Sequence, residues 1–347
     1  MNKTIAEKSI TSKKVQENSL INRWREFAIR NEKSGGYLLR KIVKSKLYKL
    51  IRAILIMGLC FLILQPLINK LSLSFMKEKD LYDSTVIVVP RNFTTENYKL
   101  INYLIGYWKA LRNTIGISTL VSILQVVSCT LVGYGFARFN FPLKRFWFAC
   151  VLLVIVVPPQ TIMSSLYLNF RFFDIFGIFK FFKGSTINLH NSTIPYLLLS
   201  ASCMGLKNGL YIFIVRQYFR GVPKELEEAA YVDGCGNLST FIRIMLPDAR
   251  PVITSCFLFA FVWQWTDSFY SKMFLGKVVL LSKRLTSITG LLSDYNLAMY
   301  GSGKISEAYS QMMISTGMIM TIIPLLIIYI VAQKGFVESI NQTGLKM

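Results

Sequence analysis

Histidine occurs once, at His190, and the six cysteines share no CxxC spacing. Histidine- or cysteine-based metal centres need several ligands gathered together, so neither a metal site nor a disulfide framework is expected, and no cofactor is implied. Cys60, Cys129, Cys150, Cys203, Cys235 and Cys256 read instead as small buried hydrophobes. A Walker A loop is also missing. Its Gly-x-x-x-x-Gly-Lys-Ser/Thr pattern cradles phosphates and holds magnesium. The nearest run, Gly301-Ser-Gly303-Lys304-Ile305, lacks the first glycine and ends in isoleucine. The chain is therefore expected to be no enzyme and to hydrolyse no ATP. Acidic residues are few, 18 against 40 Lys and Arg, for a net charge of +22. Such an excess suggests a nucleic-acid partner, yet 14 of the 40 cations lie before Ala53. The apolar remainder fits no nucleic-acid-binding module, so none is expected. The tail 1–50 is charged throughout and holds no apolar stretch of the kind a cleavable signal peptide requires.

What the chain does have is apolar residues, 53% of the total, with a mean hydropathy of +0.44. A water-soluble globule of that composition would leave too much apolar surface wet, so the expected solvent is a bilayer. Crossing ~30 Å of hydrocarbon takes ~20 mainly apolar residues. Six stretches qualify: 53–69, 113–137, 146–170, 193–215, 252–266 and 308–333. Only the fourth carries an internal charge, Lys207. An even number of spans puts both termini on one side. With that side inside, the interior pieces hold 24 Lys and Arg and the exterior pieces 15, over nearly equal lengths. The positive-inside rule then makes both termini cytoplasmic in a multi-pass cell-membrane (inner-membrane) protein that contacts lipid. The fold class expected is an all-α membrane protein of six transmembrane helices, preceded by a basic cytoplasmic tail over 1–50. Leu20, Trp24 and Phe27 stand at helical spacing in that tail, which reads either as an interfacial helix over residues 24–29 or as a flexible basic segment. Gly205 and Gly209 form a lone GxxxG, a spacing that permits close helix packing.

The interior loop 216–250 has its own order. Pro223 suits a first helical turn, and Glu225, Glu227 and Glu228 follow where the helix dipole favours negative charge. Gly234 and Gly236 are expected to end this helix, because glycine tolerates left-handed geometry. A second short helix is expected over 238–246, stopping at Pro247. The loop therefore reads as a helical hairpin over 223–247.

Glu228-Ala229-Ala230-x-x-Asp233-Gly234, followed by Leu246-Pro247, resembles the EAA loop of ABC importer permeases. Other stretches are similar to carbohydrate permeases of the maltose type. They are Val89-Pro90-x-Asn92-Phe93-Thr94-x-x-Asn97-Tyr98, Arg112-Asn113-Thr114, Gly133-Tyr134-Gly135-Phe136-Ala137-Arg138-Phe139, Val157-Pro158-Pro159-Gln160 and Gln333-Lys334-Gly335-Phe336-Val337. The resemblance implies an ABC permease domain over 51–340, with its core at 110–335. It implies that the EAA hairpin is a coupling helix for cytoplasmic ATP-binding subunits, with Glu228, Ala229, Ala230, Asp233, Gly234, Leu246 and Pro247 as the coupling residues. It also implies a second, different permease subunit, an extracellular substrate-binding protein, and a sugar or oligosaccharide substrate. Two features depart from the family: Thr266-Asp267 stands where Asn-Asp or Asn-Glu is usual after Trp265, and the N-terminal tail is longer.

Lys207, Trp263, Gln264, Trp265 and Asp267 are the candidates for the substrate pathway. A lysine in mid-bilayer must face protein or a watery cavity, or else snorkel to an interface. Tryptophans stack on sugar rings but also collect at membrane interfaces. The competing class is an ion-driven secondary transporter, which needs carboxylates inside the membrane. Asp267, at the edge of a span, is the one acid near such a position.

Overall fold

A computed structural model describes residues 28–175 and 177–344, without the side chains of Lys183 and 334–344. The expectation for Trp24 and its neighbours in the tail lies largely outside the described residues. Among those residues the chain is helical, with two isolated bridges, Met76 to Phe93 and Phe173 to Ile187, and no strand.

α1 (Tyr37–Ser74) is a 38-residue helix with Pro66 inside it. None of its residues up to Asn69 is buried, as expected of a helix that presents apolar side chains on every side to lipid. From Lys70 onward the chain forms a separate compact unit, and its centre is α3 (Tyr107–Arg138). In the second turn of α3, Asn113 Nδ2 donates to Val279 O (3.1 Å), and Thr114 Oγ1 accepts from Leu281 N (3.0 Å). Near the other end Gly133 lets α7 (Asn208–Gly221) approach: a Cβ there would stand 2.8 Å from Val215 Cγ1 and 3.2 Å from Arg216 N. α10 (Arg250–Thr266) covers another side of α3, and α14 (Glu307–Gly344) packs on α10.

Three helices, α1, α3 and α14, are long and apolar enough to cross a membrane; counting two bent pairs as spans raises the number to five. That differs from the six expected in three places, the first being 252–266: α10 has 17 residues and counts as a span only together with Asn237–Asp248, to which it is bent by 74°. The stretch 146–170 is not one straight helix. α4 (Lys144–Val156) and the segment Pro159–Arg171, which contains α5 (Met163–Arg171), meet at 100°. Pro158 and Pro159 remove two N–H donors and bar helical geometry in the residue before each. The stretch 193–215 is divided as well, into α6 (Ile194–Ala201) and α7, with Cys203 and Lys207 in left-handed conformation between them. Polar side chains of α3 satisfy this break. Gln125 Nε2 donates to Leu206 O (3.1 Å) and Asn208 Oδ1 (2.8 Å), and Ser128 Oγ donates to Ser200 O (2.9 Å). Irregular backbone at membrane depth is tolerated where protein supplies such partners. Gly205 falls in the break, so Gly205 and Gly209 share no helical face. Both are closely packed, but on different partners: a Cβ on Gly209 would lie 2.9 Å from Val151 O of α4, and one on Gly205 would lie 2.5 Å from Gln125 Nε2 of α3.

The stretch around Asn92 is folded by its own polar groups. Asn92 donates its backbone N–H and its Nδ2 to Asp80 (2.8 and 2.7 Å), and Asn97 Nδ2 donates to Ser74 O and Met76 O (3.0 and 2.9 Å). The Asn92 side chain, and then its backbone N–H, hold the Asp80 carboxyl below the usual carboxylate range. The stabilisation from this depressed group is present above its unfolded value, about 3.9, and is lost as the pH falls through the lower folded value. Protection of the Asn92 amide against hydrogen exchange, corrected for intrinsic rate, is therefore expected to fall below about pH 4. Asp80→Ala removes that protection at every pH. Equal protection in the wild type on both sides of that pH would refute the assignment.

Candidate functional site

The loop after α7, expected to be a hairpin, forms two helices in succession, α8 (Glu225–Val232) and α9 (Asn237–Asp248). Glycine ends α8 as its chemistry dictates. Gly234 has φ +80°, Gly234 N donates to Tyr231 O (3.0 Å), and Cys235 N donates to Ala230 O (2.9 Å), the paired bonds of a Schellman motif. Gly236 is extended rather than left-handed and opens α9. Pro247 does not stop α9, which runs on to Asp248. Residues Phe241–Met245 form a π turn in which Leu246 N donates to Phe241 O, and Pro247 sits in the first turn of the segment after it, where its missing N–H costs little.

The three glutamates of the first turn divide. Glu228 is exposed, and Glu227 turns inward. Tyr134 OH donates to Glu227 Oε1 at 2.8 Å, and Arg138 Nε lies 3.2 Å from Glu227 Oε2, with the two charged side chains 9% and 7% exposed for Glu227 and Arg138. Arg138 Nη2 also donates to Val222 O (2.8 Å), at the end of α7. The Tyr134 ring packs on Phe219, Phe241 and Phe139 at 5.1, 4.6 and 5.6 Å between centroids. Both helices of the hairpin and the end of α7 are thereby fastened to the last two turns of α3. Charge-assisted bonds to a buried pair give that fastening its directionality.

The sequence-selected coupling residues fall on the other side. Glu228, Ala229, Asp233 and Gly234 are exposed, Leu246 and Pro247 are half-buried, and Ala230 alone is buried. Around them the hairpin presents Leu226, Tyr231, Val232, Leu238 and Ile242 outward, with Val232 88% and Leu238 69% exposed. Five exposed apolar side chains on two adjoining short helices make this segment a candidate interaction surface. Sequence reading missed Glu227 as the anchor. The available signal was its spacing: it lies three residues before the buried Ala230, on one helical face.

The candidate pathway residues divide too. Asp267 is buried and accepts from Tyr196 OH (2.8 Å) and from the N–H groups of Phe269, Tyr270 and Ser271 (3.0, 3.2 and 2.9 Å). It caps α11 (Phe269–Phe274), and its oxygens are committed to the fold. Gln264 donates to Tyr196 OH, and the buried Trp265 donates Nε1 to Thr321 O (3.2 Å). Lys207 and Trp263 remain exposed, and the Lys207 Nζ stands 5.0 Å from the Trp263 ring centroid, a cation–π arrangement. α7 separates Lys207 from Gly221 by about 20 Å of helix, too far for a lysine stem to snorkel to the hairpin end.

The family model described as the binding-protein-dependent transport system inner membrane component matches residues 130–340, more than half of the chain, and includes the hairpin. The chain is 26% identical over 294 residues to the arabinooligosaccharides transport system permease protein AraQ of Halalkalibacterium halodurans, covering 83% of this chain and 93% of that protein. It is 26% identical over 257 residues to the maltodextrin transport system permease protein MdxG of Bacillus subtilis, covering 74% of this chain and 81% of the relative. In fold it is similar to a chain of a bacterial ABC transporter involved in the import of the acidic polysaccharide alginate. The TM-score is 0.60 and the identity 18%, with 83% of this chain and 96% of that chain covered. This chain, a multi-pass membrane protein, belongs to the family of inner membrane components of binding-protein-dependent transport systems.

Proposed function

We propose that this chain is one of two different permease subunits that together form the translocation pathway for a sugar or oligosaccharide. The 223–248 hairpin is its coupling element toward a cytoplasmic ATPase. The substrate class rests on the similarity to arabinooligosaccharide and maltodextrin permeases. In this reading the chain crosses the membrane six times, with the divided stretches 146–170 and 193–215 each counted as one span. Both termini and the hairpin are cytoplasmic, and an external binding protein delivers substrate on the opposite side. The chain does no chemistry of its own. Two ATP-binding subunits supply the energy, and the transport cycle is a shift between inward- and outward-open populations.

One observation carries the coupling role: the buried Glu227–Arg138–Tyr134 cluster joins the hairpin to α3 while its apolar face stays open. A partner that seats on Val232 and Leu238 therefore moves α3 and α7 with it. Lys207 and Trp263 are the pathway residues of this reading. Glu228, Ala229, Asp233 and Gly234 lie on the docking face.

Purification of the tagged full-length chain in mild detergent from its own cell, beside Glu228→Lys, tests the proposal. A second permease and an ATPase are expected to accompany the wild type, and the ATPase is expected to diminish in the variant while the permease persists. A chain that purifies alone under conditions that keep other transporters intact, and whose uptake follows an ion gradient, would instead be a secondary transporter.

A further inference from the structure

Six cations converge on one cavity at the hairpin end of the unit. It has a volume of about 530 Å³ and is lined by Arg138, Lys144, Arg145, Arg216, Arg220 and Lys224, over a floor of Phe136, Ala137 and Phe148. The cations come from three places in the fold: the end of α3, the first turn of α4 and the last turns of α7 with the residue that opens α8. Of these six cations only Arg138 has a carboxylate partner among the described residues, Glu227. Lys144 Nζ donates to Phe139 O at 2.6 Å and stands within electrostatic reach of Arg216, Arg220 and Lys224. The Arg216 guanidinium lies flat over Phe148, 3.7 Å from the ring centroid, and its Nε is buried with no hydrogen-bond partner.

Helix dipoles account for part of this charge. Arg220 in the last turn of α7 is favourably placed, but Lys144 and Arg145 sit in the first turn of α4, where cations are disfavoured and no acid accompanies them. Like charges gathered against a dipole call for a counter-anion, and phosphate matches guanidinium groups bidentately. Flanking Lys144 and Arg145 in sequence, Phe141, Leu143, Phe146 and Trp147 are exposed, the composition of a membrane–water interface. The cavity therefore opens where lipid headgroups lie, and its Phe136 and Phe148 floor suits a ligand with an apolar portion.

We propose that this cavity binds a phosphate-bearing anion, the headgroup of an anionic phospholipid, and that the bound anion ties α4 to α7 beside the hairpin anchor. Basic pockets between membrane helices recognise headgroups through this chemistry. The inference is independent of what the chain transports.

The test uses the full-length chain, with any subunits that accompany it, in nanodiscs of phosphatidylcholine alone. Phosphatidylglycerol, or inorganic phosphate at millimolar concentration, is then added in separate arms. The readouts are the lipid retained after detergent washing, by mass spectrometry, and the apparent melting midpoint. The variant is Arg145→Gln with Arg220→Gln, both exposed side chains. The control, Lys77→Gln with Lys99→Gln, removes equal charge elsewhere. Wild type and control are expected to retain phosphatidylglycerol and to melt later with it, while the affinity of the double variant falls about 30-fold, at about 1 kcal/mol per cation. A response to inorganic phosphate in neutral discs, lost in the double variant, would support the site with free phosphate as its source. Equal lipid retention in wild type and double variant would overturn the proposal. So would loss of the ATPase from the double variant with lipid retention unchanged, since that would make the cavity a protein contact.

Discussion

Glu227→Ala is expected to destabilise the chain by about 3–5 kcal/mol, the usual cost of removing one partner from a buried ion pair. The substitution strands Arg138, whose side chain is 7% exposed, with Val222 O as its remaining hydrogen-bond partner. It also removes the acceptor of Tyr134 OH at the centre of the aromatic cluster. The loss is in the unpaired charge more than in the pair itself. Glu227→Leu combined with Arg138→Met should therefore recover most of the stability, because well-packed apolar replacements of buried pairs are often neutral. Apparent melting midpoints at one fixed scan rate are the appropriate measure, since such chains commonly unfold irreversibly. A midpoint for Glu227→Ala equal to that of the wild type would show that the pair holds nothing together. The recovered double variant should also transport, if packing alone joins the hairpin to α3. Should it remain stable but silent, the charge itself carries the motion.

The second large effect is expected on the open face of the hairpin. Val232→Asp with Leu238→Asp should leave the melting midpoint of the isolated chain unchanged, because the two side chains are 88% and 69% exposed and contribute little to this chain's own core. In the assembled transporter the same change should weaken ATPase attachment by about a hundredfold or more. Burying a Val or Leu side chain contributes about 1.5–3 kcal/mol, and each 1.4 kcal/mol is tenfold in affinity. Replacement by a carboxylate adds the cost of desolvating a charge. Pull-down of the ATPase by the tagged permease, with substrate uptake measured in parallel, reads both quantities. Normal attachment of the ATPase to the double variant would place its docking surface elsewhere.

Glu227 is buried on α8, while Val232 on α8 and Leu238 on α9 are exposed, and only part of that division is written in the sequence. Of the expected hairpin, α8 was legible because its boundaries are set by local chemistry. Pro223 precedes α8, and Gly234, at φ +80°, closes it. The bend between α4 and the segment beginning at Pro159 has an equally local cause, since Pro158 and Pro159 exclude helical continuation whatever surrounds them. Even the motif residues Asn92, Asn113 and Thr114 prove to be fold-builders, each holding a backbone or carboxylate group across a turn or between elements.

Other features had no local signature. Nothing near 202–207 forbids a continuous helix as proline would. That break persists because Gln125 and Ser128, some 80 residues away, satisfy the groups it frees. Pro247 read as a helix stop, yet a π turn before it absorbs the missing donor. Glu227 and Glu228 are adjacent and chemically equivalent, and one becomes an anchor and the other a surface charge only because α3 brings Tyr134 and Arg138 to one side of α8. The same holds for Asp267, which read as a pathway residue and is committed to capping α11.

The sequence by itself determined the solvent of this protein, its helical class, the glycine that closes α8 and its family. Composition, proline and glycine act within a few residues and need no partner to do so. Only the tertiary structure decided which acid is buried, which tryptophan stays open beside Lys207, and which cations share a cavity. Those outcomes depend on side chains from distant helices meeting in a medium where an unpaired charge or donor is costly, and that pairing is a property of the packed helices.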